Sequence, residues 1–406
     1  MKWKKYSRAA NAASVVVAVV LALTSSGWPR TRSKTLYEFQ GGVDGIPQAG
    51  VIFDQAGNLY GTTTWGGTDS CGSVYELTPR SEGRWAKTVL LNFTCANGDY
   101  PAANLTFDQA GNLYGTTIIG GTYGGGTVFE LEPNGEGAWT YTAVYNFTGG
   151  QDGYEPFFTT LVFDTGGNLY GTTYRGGNGN GVVFEMIPNP DGTWAESVLH
   201  TFSGADGSES RAGLIFDSAG NLYGTTQLGG SHGQGTVFEL AHNPDGSWTE
   251  SVLHSFTGGD DGAQPYGGLI LDQAGNLYGT TFQGGSRTWG NVFELVLNPG
   301  GTWTEKVLHQ FTGSKDGGNP QDSLVFDAAG NLIGTTCAGG SDGDGVVFKL
   351  SPNSGGEWKE TLLQTFTDHP GSYAIANVTL DASGNIYGTT EGDGTKTFGS
   401  VFEIIP

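Results

Sequence analysis

Five Asp-Gly pairs stand out for their chemistry, at Asp44, Asp152, Asp206, Asp261 and Asp316, together with five aromatic side chains, Trp65, Tyr123, Tyr174, Phe282 and Trp289. Carboxylates accept hydrogen bonds from hydroxyls, and ring faces receive the C–H faces of a sugar, so the two sets on one surface would bind carbohydrate. The plainer reading is that Asp-Gly makes a turn and the rings pack over neighbouring glycines. Both readings stand at this point. A second acid set, Asp54, Asp108, Asp164, Asp217, Asp272, Asp327 and Asp381, recurs at one place in a repeated motif and is expected to build a turn. Histidines at 200, 254 and 309 occupy one repeated position, but no His-x-His or Cys-x-x-Cys spacing supports zinc. No metal and no cofactor are expected, and no Ser-His-Asp, paired-acid or nucleophile motif is found.

These residues sit on a repeating frame. Gly-Asn-Leu-Tyr-Gly-Thr-Thr occurs at 57–63, 111–117, 167–173, 220–226 and 275–281, with near copies at 330–336 and 384–390. Its Asn residues are spaced by 54, 56, 53, 55, 55 and 54, which makes seven units of one module. Each module holds four short runs rich in β-branched and aromatic residues, separated by Gly, Asn, Asp and Pro. Four antiparallel strands at a period near 55 predict one propeller blade, and seven modules predict a seven-bladed, all-β propeller. Six tryptophans, Trp85, Trp139, Trp194, Trp248, Trp303 and Trp358, recur at one place in the fourth run and are expected to fill space between blades or to cover the outer edge. The segment 35–39 matches a fourth strand, while the sequence ends just after a third strand, so an N-terminal strand is expected to close the ring.

Composition agrees. The chain has 406 residues, 71 of them Gly, and 14% are charged against about 25% in ordinary domains. Such a chain builds turns and strands rather than helices. Its net charge of -22 opposes nucleic acid and anionic membrane surfaces.

The repeat, with its Gly-Asn-Leu-Tyr-Gly-Thr-Thr core, paired glycines and Val-Phe-Glu strand, resembles the GloVer tandem repeat of exported bacterial proteins. That resemblance covers the chain after about residue 34. It implies no catalytic residues, and it implies a C-terminal surface anchor that is not expected after Pro406. The Asp-x-x-Gly-Asn-Leu-Tyr turn is similar to turns of gluconolactonase-like and streptogramin-lyase-like propellers. From Gly-Thr-Thr to the third strand every blade keeps a loop of nearly one length, so no blade has grown a pocket of its own. The expected function is therefore an exported, monomeric, non-catalytic scaffold binding carbohydrate or another cell-envelope component. A metal-dependent lyase or lactone hydrolase is the alternative.

The N-terminus, with Lys2, Lys4, Lys5 and Arg8 before the apolar run 15–23, reads as an export signal over 1–26, followed by a linker over 27–34 and the propeller over 35–406. The protein is expected outside the cytoplasm, in the periplasm, at the cell surface or secreted, with no membrane span in the mature chain. Of three cysteines, Cys71 and Cys95 flank a predicted hairpin. Their numbers sum to 166, centring the hairpin on Gly83 and predicting a disulfide.

Overall fold

The turn that begins with Asp54 explains why every module reverses where it does. In the computed structural model, Asp54 Oδ1 accepts the backbone N–H groups of Ala56 and Asn58 at 2.9 and 2.8 Å, and Oδ2 accepts the Asn58 side chain at 2.8 Å. Gly57 supplies φ 86°, which a residue with a Cβ adopts at a cost. The same bonds recur around the other six aspartates of the set, among them Asp108, Asp272 and Asp381. Each turn thus joins a two-residue strand to Gly-Thr-Thr.

The structure describes residues 31–135, 137–367, 372–392 and 398–406. The expected export signal lies outside the described residues. Strand β1 (Arg32–Glu38) starts three residues before the expected boundary at 35, so 32–34 belong to the fold and not to a linker. In the first blade β2 (Ile52–Phe53), β3 (Leu59–Thr63), β4 (Ser73–Pro79) and β5 (Trp85–Asn92) pair in that order, all antiparallel. Five more sheets repeat this arrangement. The seventh sheet lacks its own fourth strand, and β1 takes that place beside the last strand, Ser400–Ile405, with Arg32 opposite Ile405. The chain is therefore a seven-bladed propeller closed by its N-terminal strand. No helix among the described residues is long and apolar enough to cross a membrane.

Each residue of Gly-Thr-Thr has a separate duty. A Cβ on Gly115 would lie 2.7 Å from the Phe129 ring, so the glycine admits the ring of Val-Phe-Glu. In six blades the first Thr ties to the next blade, as Thr389 donates to the Ala49 carbonyl at 2.8 Å across the closing junction, whereas the Thr62 hydroxyl of the first blade is buried without a partner. The second Thr meets the start of the third strand, as Thr117 and Thr127 hydroxyls do at 2.9 Å. That Phe then packs edge-on against the Phe ending the preceding blade, with Phe93–Phe129 and Phe147–Phe184 centroids 5.2 Å apart. The closing junction keeps the contact through Phe39 and Tyr75 at 5.4 Å. The tryptophans lie between blades, Trp139 against Tyr60 and Trp194 against Tyr114, both at 6.1 Å.

Cys71 and Cys95 form a disulfide with Cα atoms 5.3 Å apart. The hairpin between them differs from the constant-sum register. Pro79 pairs with Trp85, a sum of 164, and a bulge between Val74 and Tyr75 leaves Leu90 unpaired and raises the sum to 165. The pivot is Glu82 rather than Gly83. The bulge recurs in the other fourth strands, including β1, where Leu36 is the extra residue and is buried. It turns one more apolar side chain into the junction.

A chain beginning at Gly41 would lose the β1 ladder and the buried Leu36 and Phe39. Burial of two such side chains is worth about 1.5–3 kcal/mol each, and each ladder bond about 1 kcal/mol, so stability is expected to fall by several kcal/mol. Urea unfolding and sedimentation of the truncated and untruncated chains check this. An unchanged midpoint in a monomeric product contradicts the closure.

Candidate functional site

The loops entering each blade and the loops between second and third strands meet on one face. Backbone bridges Ile46 to Trp65, Tyr154 to Arg175, Ser208 to Leu228 and Ala263 to Gln283 hold them together. Each of the five Asp-Gly carboxylates accepts hydrogen bonds inside these loops. Asp152 accepts from Thr148 N and Tyr145 OH at 2.7 and 3.1 Å, Asp206 from Ser203 N at 2.8 Å, and Asp261 from Thr257 N at 2.8 Å. Asp316 accepts from the backbone and hydroxyl of Thr312. Asp44 holds Tyr37 and the Lys87 ammonium. Of the five aromatics, Tyr123 is the most exposed at 64%, Trp65 stands edge-on to Tyr100 at 4.6 Å, and Trp289 packs over Gly313 and Gly318. These three do not converge.

Tyr174 and Phe282 do join a cluster, with partners the sequence reading missed. Phe282 stacks on Tyr266 at 4.4 Å and 9°, and Tyr174 lies 5.5 Å from Phe157 while its hydroxyl donates to Glu209 at 2.7 Å. Arg211 sits among these rings, its guanidinium carbon 4.2 Å from the Tyr266 centroid, 4.7 Å from Phe157 and 5.4 Å from Phe158. Phe158, Arg211, Tyr266, Gln321, Asp322 and Ile375, from five successive blades, line one cavity of about 20 Å³, so the cluster stands where the blades converge on the channel. Burial pushes the Arg211 pKa down, and among the described residues no carboxylate lies within 4.0 Å of it. The corresponding residues of the first two blades are Gln48 and Ala102. This position differs from blade to blade where the rest of the module repeats. Counting ten residues back from the Asn of Gly-Asn in each module would expose it.

The opposite face carries grooves between neighbouring blades. One, of about 570 Å³, is lined by Phe107, Asp108, Tyr114, Phe163, Asp164 and Trp194, and two neighbours of about 600 Å³ repeat the pattern. They follow from the repeated turn and tryptophan.

A family model described as the Gloeobacter/Verrucomicrobia repeat matches residues 19–177, 86–249 and 242–406. The chain belongs to this repeat family. Among solved structures, a luciferin-regenerating enzyme is similar at 16% identity, with 75% of this chain and 91% of that chain covered and a TM-score of 0.47. No curated protein matches.

The Gloeobacter/Verrucomicrobia repeat of this chain also places acids against one another at its blade junctions. Glu196, Glu250, Glu305 and Glu360, two residues after successive tryptophans, face Asp152, Asp206, Asp261 and Asp316, and burial first and those carboxylates second push each Glu up to about 7. One oxygen of each Glu is shut from solvent without a partner. In the first blade the same place holds Lys87, whose ammonium lies 2.6 Å from Asp44 Oδ1.

A raised carboxyl pKa means the folded state keeps a proton that the unfolded chain releases near pH 4.5, so its stabilising contribution is lost as pH rises through about 7. Burial pushes His254 and His309 down, which acts in the opposite sense, so the informative quantity is a difference between variants. Glu196→Gln removes the buried charge beside Asp152. Its thermal midpoint is expected to exceed that of the parent at pH 8, with the gap closing toward pH 5. A gap of the same size at both pH values contradicts this account.

Proposed function

We propose that this chain is an exported, non-catalytic ring that binds a carboxylate-bearing carbohydrate of the cell envelope at the mouth of its channel. The observation that carries the reading is Arg211, a largely enclosed guanidinium among three aromatic rings with no carboxylate in ion-pair range among the described residues. An enclosed guanidinium that no carboxylate touches, with Glu209 acting on it only from a distance, is costly, and it matches the planar, two-oxygen end of a carboxylate. The rings of Tyr174 and Phe282 offer faces for the C–H side of a sugar, and Glu209 and Gln321 offer partners for its hydroxyls. Net negative charge opposes an anion at long range, but salt screens that field beyond about 8 Å and screens an enclosed contact much less. The Lys- and Arg-rich start before 15–23 and the Cys71–Cys95 disulfide both support export to an oxidising compartment.

Calorimetric titration with oligogalacturonate and with neutral galacto-oligosaccharide tests the reading. The acidic ligand is expected to bind and the neutral one to bind far more weakly. Arg211→Met keeps the packing between rings and removes a charge-assisted contact worth about 1.5–3 kcal/mol, so affinity should fall about 10- to 100-fold with little change in thermal midpoint. Equal binding of both sugars, or binding unaffected by Arg211→Met and abolished by Trp194→Ala, would move the ligand to the opposite grooves and overturn the channel site.

A further inference from the structure

We propose that His200, Asp206 and Glu250 form a divalent-cation site of zinc-like chemistry at the junction of the third and fourth blades. His200 lies in the outer strand Trp194–Thr201, Asp206 in the loop that follows, and Glu250 in the outer strand Trp248–Ser255 of the next blade. One ligand atom from each lies within 4.8 Å of the other two, and His200 Nε2 is 3.1 Å from Asp206 Oδ2. Zinc bonds of about 2.0–2.2 Å place tetrahedral ligands about 3.4 Å apart, so closing the set takes a side-chain adjustment of about 1 Å. An imidazole with two carboxylates favours zinc over calcium, which prefers oxygen alone.

Two observations beyond the cluster point to a cation. Glu250 Oε1 is shut from solvent and has no hydrogen-bond partner. At the equivalent junction of the last and first blades, Lys87 replaces the Glu and its ammonium rests against Asp44, with both side chains largely buried. One junction thus supplies a positive charge from the chain itself, at the place where the third and fourth blades present only acceptors and an imidazole. The junction of the second and third blades has Tyr145 in place of the histidine, with Asp152 and Glu196 opposite, and provides an internal control. The next two junctions keep all three residue types, but His254 and His309 stand 3.4 and 3.8 Å from their aspartates.

The test is equilibrium dialysis of the purified chain against zinc chloride near pH 7.5, with bound metal counted by mass spectrometry. At least one zinc per chain is expected at micromolar free metal. Glu250→Lys copies the arrangement of Lys87, so it should keep the thermal midpoint and lose one equivalent of zinc. His200→Tyr copies Tyr37 and Tyr145 and should lose the same equivalent, while Glu196→Lys should lose none. No retained zinc, or undiminished zinc in folded Glu250→Lys and His200→Tyr, overturns the proposal.

Discussion

The contact on which the ring depends is a phenyl ring lying on a glycine. Phe129 reaches the Phe93 ring of the preceding blade because Gly115 has no Cβ to hold it off, and the equivalent glycines 171, 224, 279 and 334 admit Phe184, Phe238, Phe293 and Phe348 in the same way. All these rings are almost fully buried. Tight packing of this kind tolerates no added methyl without displacement, so module length, strand register and blade spacing are all bound to one small residue. The threonines beside it add hydrogen bonds to neighbouring backbone, and the Asp-led turn presents the strand that carries all three.

Because that frame repeats, the places where repetition fails stand out. Lys87 replaces Glu at one junction, histidine replaces tyrosine at three, and the channel position runs from Gln48 and Ala102 to Arg211, Tyr266, Gln321 and Ile375. None of these changes disturbs the phenylalanine contacts. The sixth blade illustrates the coupling within a module. Elsewhere the motif tyrosine donates to the glutamate of Val-Phe-Glu, as Tyr114 does to Glu130 at 2.6 Å. In that blade Ile333 and Lys349 stand at the two places, so hydroxyl and acceptor disappear together and no buried donor or acceptor is stranded.

Blade number, strand order and ring closure were legible in the sequence because each is written seven times, and the match of Thr35–Phe39 to a fourth strand needed only comparison with 198–202. The bulge at Leu90 was not legible. It inserts one residue without any glycine or proline to mark it, and it accounts for one of the two residues by which the Cys71–Cys95 sum of 166 exceeds the 164 of Pro79 and Trp85. The channel cluster was half legible. Tyr174 and Phe282 were chosen as loop aromatics, but Arg211 and Tyr266 lie at a position defined by its variability, which a search for repeats passes over. Asp152, Asp206 and Asp261 are legible as loop acids before the first strand, yet composition alone does not reveal that nearby Thr and Ser N–H groups bond to their oxygens. Nor does a strand pattern reveal that Glu196 and its equivalents turn toward a neighbouring blade, since an acid on an outer strand reads as solvated.

Closure by β1 also sets how the ring responds to force. Arg32 lies opposite Ile405 and Glu38 opposite Ser400, so the chain enters and leaves this strand pair at the same end. Tension between the two ends of the propeller loads the hydrogen bonds one after another, as in opening a zip, instead of shearing the whole ladder at once. Six blades have their outer strand joined to its partner by a short hairpin, whereas the seventh relies on this pairing alone. The ring is mechanically weakest at the seam that completes it.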